Sequence, residues 1–255
     1  MASILGSFPF LIAVGACGLA LSIGGLWLVR RYVSHETLMT HHDVASCMLS
    51  IIGTLYAVVL GLMVVGALSR FQQARQIVEM EANTLHDVFH LAQGLPKPLV
   101  TKVRQDCRSY ATLMINEEWR LMEEGNASPD ARAVMSELWS VVTQFKPADS
   151  GETNLQQTLL QELDQLGDCR NSRLLDAKAT FDPYIWSAII SGGFILIVFT
   201  YFFGVENFAV QALMTGLVTI VLAINLLIVA LFAYPYSGDV KVTPQPFAND
   251  LSEFK

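Results

Sequence analysis

Four uninterrupted apolar runs divide the chain: Phe8 to Val29, Val44 to Leu68, Tyr184 to Gly204 and Phe208 to Tyr234, none containing Asp, Glu, Lys or Arg. Each supplies the roughly 20 residues that a helix needs to cross a hydrocarbon core about 30 Å thick. Backbone amides and carbonyls find no water in that core, so each run must satisfy them internally, as a helix. Only Val205, Glu206 and Asn207 separate the last two runs, which predicts an antiparallel hairpin with an acidic turn. Four crossings place both termini, and the long segment between the second and third runs, on one side.

That long segment has a different period. From Ser69 the second run continues with no helix breaker, and apolar residues recur at Phe71, Val78, Leu85 and Ala92, with Ala74, Val88 and Leu95 between them. This is a heptad seam, interrupted at Glu81. After Pro96 and Pro98 a second seam runs through Val100, Val103, Cys107, Tyr110, Met114 and Leu121, and the two helices are expected to pair antiparallel. Ser128-Pro129-Asp130 marks a helix start, with Ser128 as cap and Pro129 where a missing N–H costs nothing. Val134, Leu138, Val141 and Phe145 give that helix its apolar face. Beyond Lys146-Pro147 and a Ser150-Gly151 turn, Leu155, Leu159, Leu163 and Leu166 begin a fourth helix, and Asp182-Pro183 marks the start of the third span. No strand-like alternation of useful length occurs.

The expected architecture is an all-α membrane protein: four transmembrane helices with a helical, coiled-coil-like soluble insert between the second and third spans. The boundaries fall at 1–68 for the first transmembrane pair, 69–182 for the insert, 183–235 for the second hairpin and 236–255 for a C-terminal tail.

Composition adds that 53% of the 255 residues are hydrophobic and 15% charged, too apolar for a soluble domain of this length. The lipid bilayer is the expected partner. A net charge of −7 leaves no basic surface for a nucleic-acid backbone. Arg30 and Arg31 follow the first span, whereas Arg70, Arg75, Arg170, Arg173, Lys178 and Lys241 flank the other side, which places insert and termini in the cytoplasm. Cys17, Cys47, Cys107 and Cys169 have no metal-ligand spacing and read as free thiols or packing residues, with a disulfide between helices left open. The N-terminus lacks the basic n-region of a secretory signal, so the first span is expected to be retained.

Candidate chemistry is sparse. Gly53, Ala57 and Gly61 fall four residues apart in the second span, and Ser46 and Ser50 extend the stripe. Small residues on one face allow close helix packing, or leave room for an ion at a central pore. Ala16, Ala20 and Gly24 form a comparable stripe in the first span. Asn225, preceded by Thr215 and Thr219, lies near the middle of the fourth span and needs a partner in hydrocarbon, expected on a neighbouring helix. No span carries a carboxylate, Lys, Arg or His at mid-depth, which argues against proton relays and ion-coupled transport. His86 and His90 share a helical face without the HExxH pattern and read as a solvated face, not a metal site. His41-His42-Asp43 reads as an interfacial loop. The sequence has no GxSxG, P-loop or GxGxxG in a suitable setting, so neither an enzyme nor a cofactor is expected, and Asn126-Ala127-Ser128 carries no weight in a cytoplasmic domain.

Three stretches together carry a resemblance: Gly53-Thr54-Leu55-Tyr56-Ala57-Val58-Val59-Leu60-Gly61, then Ala74 through Val78-Glu79-Met80-Glu81-Ala82, and Pro235-Tyr236-Ser237-Gly238-Asp239 followed by Pro246-Phe247. From about Asp43 to Phe247 the chain resembles the bestrophin-like domain family of bacterial and plant membrane proteins, with Tyr236 where Phe is expected. The resemblance implies four spans, a large helical insert and cytoplasmic termini, here in a bacterial inner (plasma) membrane. By distant relation to bestrophins, homopentameric anion channels with second-span helices around the pore, it implies a homo-oligomer with Ser50, Gly53, Ala57 and Gly61 on the axis. The second span has no aromatic neck that aligns with the bestrophin gate, and the C-terminal part has no acidic cluster suited to calcium. The leading expectation is an oligomeric passive channel, selective for anions. The rival is a membrane-anchored scaffold that binds a cytoplasmic protein partner through its helical insert.

Overall fold

Every apolar run forms a helix in the computed structural model, which describes residues 7–34, 38–39, 42–179 and 182–254. The helices are α1 Phe8–Tyr32, α2 His42–Leu91, α3 Leu99–Leu113, α4 Trp119–Glu123, α5 Pro129–Gln144, α6 Ser150–Lys178, α7 Pro183–Tyr201, α8 Phe208–Ala233 and α9 Gln245–Glu253. A π-helical turn, Met114–Glu118, joins α3 to α4. No strand occurs among the described residues. Helices α1, α2, α7 and α8 are long and apolar enough to cross a membrane. His41 and the side chain of His42 lie outside the described residues.

The chain divides into two compact units. The first comprises Met1–Arg70, Thr180–Tyr234 and Gly238–Val240; the second comprises Phe71–Ala179, Pro235–Ser237 and Lys241–Lys255.

In the first unit the starts of α1, α7 and α8 are each closed by a short polar side chain. Asp239 accepts the backbone N–H of Phe8 at 2.6 Å, placing a carboxylate at the positive end of α1. Gly238 makes this possible, because its φ of 89° is a left-handed conformation that a side chain disfavours. Asp182 accepts from Tyr184 N ahead of α7, and Asn207 from Ala209 N ahead of α8, each at 2.9 Å. Helix α1 outlasts its apolar run and takes Arg30 and Arg31 into its last turn, where cations suit the negative end of the helix. The connection from α7 to α8 is longer than the three residues expected. Gln211 explains the early stop of α7, since its amide donates to the freed carbonyls of Thr200 at 3.2 Å and Phe203 at 2.8 Å.

The second unit buries most of the predicted seams, with Phe71, Val100 and Leu121 only half-buried and Met122, rather than the expected Leu121, in the core. Ala74, Val78, Leu85, Val88 and Ala92 of α2 pack with Val103, Cys107 and Tyr110 of α3 and with Met114. Contacts from Arg104 to the Phe89 carbonyl and from Tyr110 to Glu81 run in opposite order along α2 and α3, so the pair is antiparallel. Ser128 caps α5 by accepting from Ala131 N at 3.0 Å. The buried face of α5 is Ala131, Met135, Leu138 and Val142, one position off the expected stripe at Val134 and Val141, which are half-buried. Ser150 and Gly151 form the first turn of α6, not a preceding turn, because Asp149 accepts from Glu152 N and starts the helix there.

Glu81, which interrupts the first seam, lies in the middle of this core. Its carboxylate takes two charge-assisted hydrogen bonds from Arg173 of α6, at 2.6 and 2.9 Å, and one from the Tyr110 hydroxyl at 2.8 Å. Glu118, at the end of the π turn, accepts from Arg170 at 3.0 and 3.2 Å and from the Ser128 backbone N–H at 2.7 Å. Glu81, Glu118, Tyr110 and Arg173 are wholly buried. Burial alone pulls the Arg173 pKa down, and the Glu81 carboxylate more than reverses this, so the guanidinium stays charged. The Trp119 ring stacks 4.8 Å from that guanidinium. Arg170 and Arg173, counted in the sequence as membrane-flanking charges, are thus core residues of the second unit.

Removing one partner of a buried pair strands the other charge, at a cost of about 3–5 kcal/mol. Arg173→Met is therefore expected to lower the stability of the second unit by that amount. Thermal unfolding of the full chain in detergent checks this; replacing exposed Arg75, paired only with its neighbour Glu79 across one turn, is expected to shift the midpoint far less.

Candidate functional site

The second span presents three faces. One docks on α7: Tyr56 donates its hydroxyl to the Ile189 carbonyl at 2.9 Å and packs with Leu60, Ile189 and Leu196. Gly192 and Gly193 make room for the Tyr56 side chain. A Cβ on Gly192 would stand 2.6 Å from its ring carbons, closer than carbon atoms approach, and one on Gly193 would stand 3.0 Å from its hydroxyl. At roughly 100° per residue, Ser50, Gly53, Ala57 and Gly61 lie roughly 60–140° around the helix from Tyr56. Ile51, Leu55, Val58 and Leu62, all large and exposed, occupy the far side.

The small-residue face is open within one chain. Ser50, Ala57 and Gly61 are exposed. A Cβ on Gly61 would meet nothing within 4 Å, while one on Gly53 would touch Leu196 at 3.8 Å, so Gly53 borders the docked face. The hydroxyls here are satisfied by their own helix: Ser50 donates to the Ser46 carbonyl at 3.0 Å and Thr54 to the Ser50 carbonyl at 2.8 Å. Such bonds leave a face with small, already partnered polar groups.

Asn225 donates to Val221 O at 2.9 Å, a carbonyl of its own helix. Interhelical bonds are made instead by Thr215 and Thr219 themselves. Ser22 of α1 and Thr219 of α8 share a hydrogen bond at 2.9 Å, Thr215 and Thr200 of α7 share one at 3.1 Å, and Tyr201 donates to the Ser22 carbonyl at 2.8 Å. Gln211 extends the line, accepting from Arg30 Nε at 2.8 Å, and Arg30 Nη1 reaches the Glu206 carbonyl at 3.2 Å. Ser22, Thr200 and Gln211 escaped the sequence reading. Their signal was simple: each is a polar side chain inside an otherwise apolar run.

Among the described residues no three His, Cys, Asp or Glu side chains converge as a metal would require. His86 and His90 lie with ring centroids 4.4 Å apart; His90 is exposed as expected, whereas His86 is half-buried and faces Asp250 of α9 at 3.6 Å. All four cysteines are free, Cys17 and Cys47 exposed, Cys107 and Cys169 buried. Burial pushes the Cys107 thiol well above its ordinary value.

The family model of the Bestrophin-like domain matches residues 16–247. No curated protein and no solved structure matches.

The hydroxyl line predicts a measurable coupling. Pairs of this kind in a membrane contribute about 0.6 kcal/mol on average and about 1.7 kcal/mol at most. A double-mutant cycle on Ser22→Ala and Thr219→Val, read by unfolding in mixed micelles, is expected to return a coupling in that range, whereas the same cycle between Ser22 and Asn225 is expected to return none.

Proposed function

Because the chain belongs to the Bestrophin-like domain family, we propose that it is a passive, anion-selective channel of a bacterial inner membrane, assembled from several copies, with the insert and both termini in the cytoplasm. In this reading Ser50, Gly53, Ala57 and Gly61 surround the axis. The observation that carries it is the asymmetry of the second span: one face is committed to α7 through Tyr56, the opposite side is bulky and apolar, and the small-residue face, bordered by Leu196 at Gly53, is otherwise uncovered among the described residues. A span packed wholly inside one chain would have no such face. The absence of Asp, Glu, Lys, Arg and His at mid-depth suits passive conduction, because an ion-coupled cycle needs groups that bind and release the coupling ion. Small side chains with satisfied hydroxyls leave width at an axis, and apolar stretches can gate by dewetting.

A scaffold role is the second reading, and a groove of about 430 Å³ in the second unit favours it. Ile77 and Met80 of α2 and Asp164, Asp168 and Cys169 of α6 line this groove, which joins apolar and acidic surface where a basic, amphipathic partner helix would fit. Removing α3 to α5 cannot separate the two readings, since it deletes Glu118 and strands Arg170 in the core. A surface change such as Met80→Asp leaves the core intact and tests the scaffold cleanly.

Gly61→Leu is the sharpest test of the channel. The site has open space, so the leucine is accepted without disturbing the contact with α7, whereas Gly53→Leu would also press on Leu196. Single-channel recording under a chloride gradient is expected to show currents reversing near the chloride potential, lost in a correctly assembled Gly61→Leu protein. Silent parent protein, or unchanged currents in the variant, would remove this face from any pore.

A further inference from the structure

Helix α9 is held on the second unit by aromatic contacts and by one titratable pair. Phe247 is buried against Tyr110 and Trp119, with ring centroids 6.4 and 5.8 Å away. Phe254 stacks on Phe89 at 4.1 Å, and Arg108 donates to the Phe254 carbonyl at 3.0 Å. Between these anchors, Asp250 of α9 meets His86 of α2. The 3.6 Å from His86 Nδ1 to Asp250 Oδ1 is too long for a hydrogen bond. His86 Nδ1 and Asp250 Oδ2 are both shut off from water, and neither has a hydrogen-bond partner. Buried polar atoms left in this way are costly, and a proton on the Asp250 carboxyl would remove the negative charge that burial, Asp87 and Glu253 all disfavour.

The other charged groups around the pair do not supply a partner. On α2, Asp87 adds negative charge and His90 lies against the His86 ring. On α9, Glu253 is a further acid. On α3, the Nε groups of Arg104 and Arg108 are engaged by the carbonyls of Phe89 and Phe254. The π turn contributes Glu117, and Glu118, which is committed to Arg170. Burial pushes the Asp250 carboxyl up to about 6; His86 opposes this, and Glu253 and Asp87 reinforce it.

We propose that α9 is a proton-fastened strap: a proton taken up by the Asp250 carboxyl where it faces His86 holds α9 more tightly on α2 and α3, so docking tightens as the solution passes from mildly alkaline to mildly acidic. The sign follows from linkage. Docked Asp250 holds its proton more tightly than a released aspartate, so docking gains as pH falls through about 6 and loses that gain as pH rises past it. Against a released value of about 3.9, the docking equilibrium changes by roughly tenfold between pH 8 and pH 5.

The test is hydrogen exchange of the backbone amides of residues 247–253 in the full chain in lipid nanodiscs, corrected for intrinsic rates, at pH 5, 6, 7 and 8. The opening equilibrium is expected to rise about tenfold from pH 5 to pH 8. Asp250→Asn, which keeps the shape and removes the titration, is expected to flatten the profile. His86→Gln is expected to move its midpoint. Phe247→Ala is expected to raise opening at every pH, which verifies that exchange reads docking. A flat profile in the parent chain, undiminished pH dependence in Asp250→Asn, or an unmoved midpoint in His86→Gln overturns the proposal. No ion flux enters the measurement, so its outcome is independent of the channel reading.

Discussion

The ion pair between Glu81 and Arg173 constrains the whole of the second unit. Two charges taken fully out of water must meet in good geometry, with every remaining donor and acceptor engaged, or the helices that carry them cannot close. The surrounding structure follows from that demand. Tyr110 is placed to donate to Glu81, Trp119 to stack on the Arg173 guanidinium, and the sulfurs of Met114 and Met122 to approach it at 3.2 and 3.0 Å. The π turn serves the same end. One wider turn rotates the helix after Met114, and it places Glu118 where Arg170 and the Ser128 amide can both reach it. Glu81 and Arg173 meet in this register of α2 against α6, and sliding by a turn would separate two buried charges.

The first unit meets the complementary problem. Hydrophobicity gives no preference between helix–helix and helix–lipid contact in a bilayer, so association rests on close packing and on hydrogen bonds between helices. Both devices are present, and they are kept apart. Helices α1, α7 and α8 are tied by the hydroxyl line from Ser22 to Thr200 and by Gln211. The second span is attached to α7 by one tyrosine side chain set against Gly192 and Gly193.

Much of this was legible from residue type and spacing. Charge-free runs located all four spans, Ser128-Pro129 and Asp182-Pro183 marked real helix starts, and the heptad positions from Ala74 to Ala92 are core positions. The rest depended on pairings distant in sequence. Glu81 read as a flaw in a seam because its partner is 92 residues away, and Arg173 read as a topology signal because nothing near it announces burial. The small face of the second span was visible as a stripe; that Gly53 borders the docked side while Gly61 is open emerged only with Leu196 in place. Tyr236, unexpected in its motif, uses its hydroxyl to reach the Ala74 carbonyl at 3.4 Å, a bond that phenylalanine lacks.

The position of Phe247 bears on how this protein is made. Its pocket is built from Tyr110 and Trp119, yet Phe247 follows Trp119 by 128 residues, with both later spans between them. At ribosomal rates of about 5–20 residues per second, the interval is roughly 6–26 seconds. Throughout that time the nascent second unit exposes an aromatic cleft while α7 and α8 are being threaded into the bilayer. The core of the second unit can therefore close only after both later spans have been made.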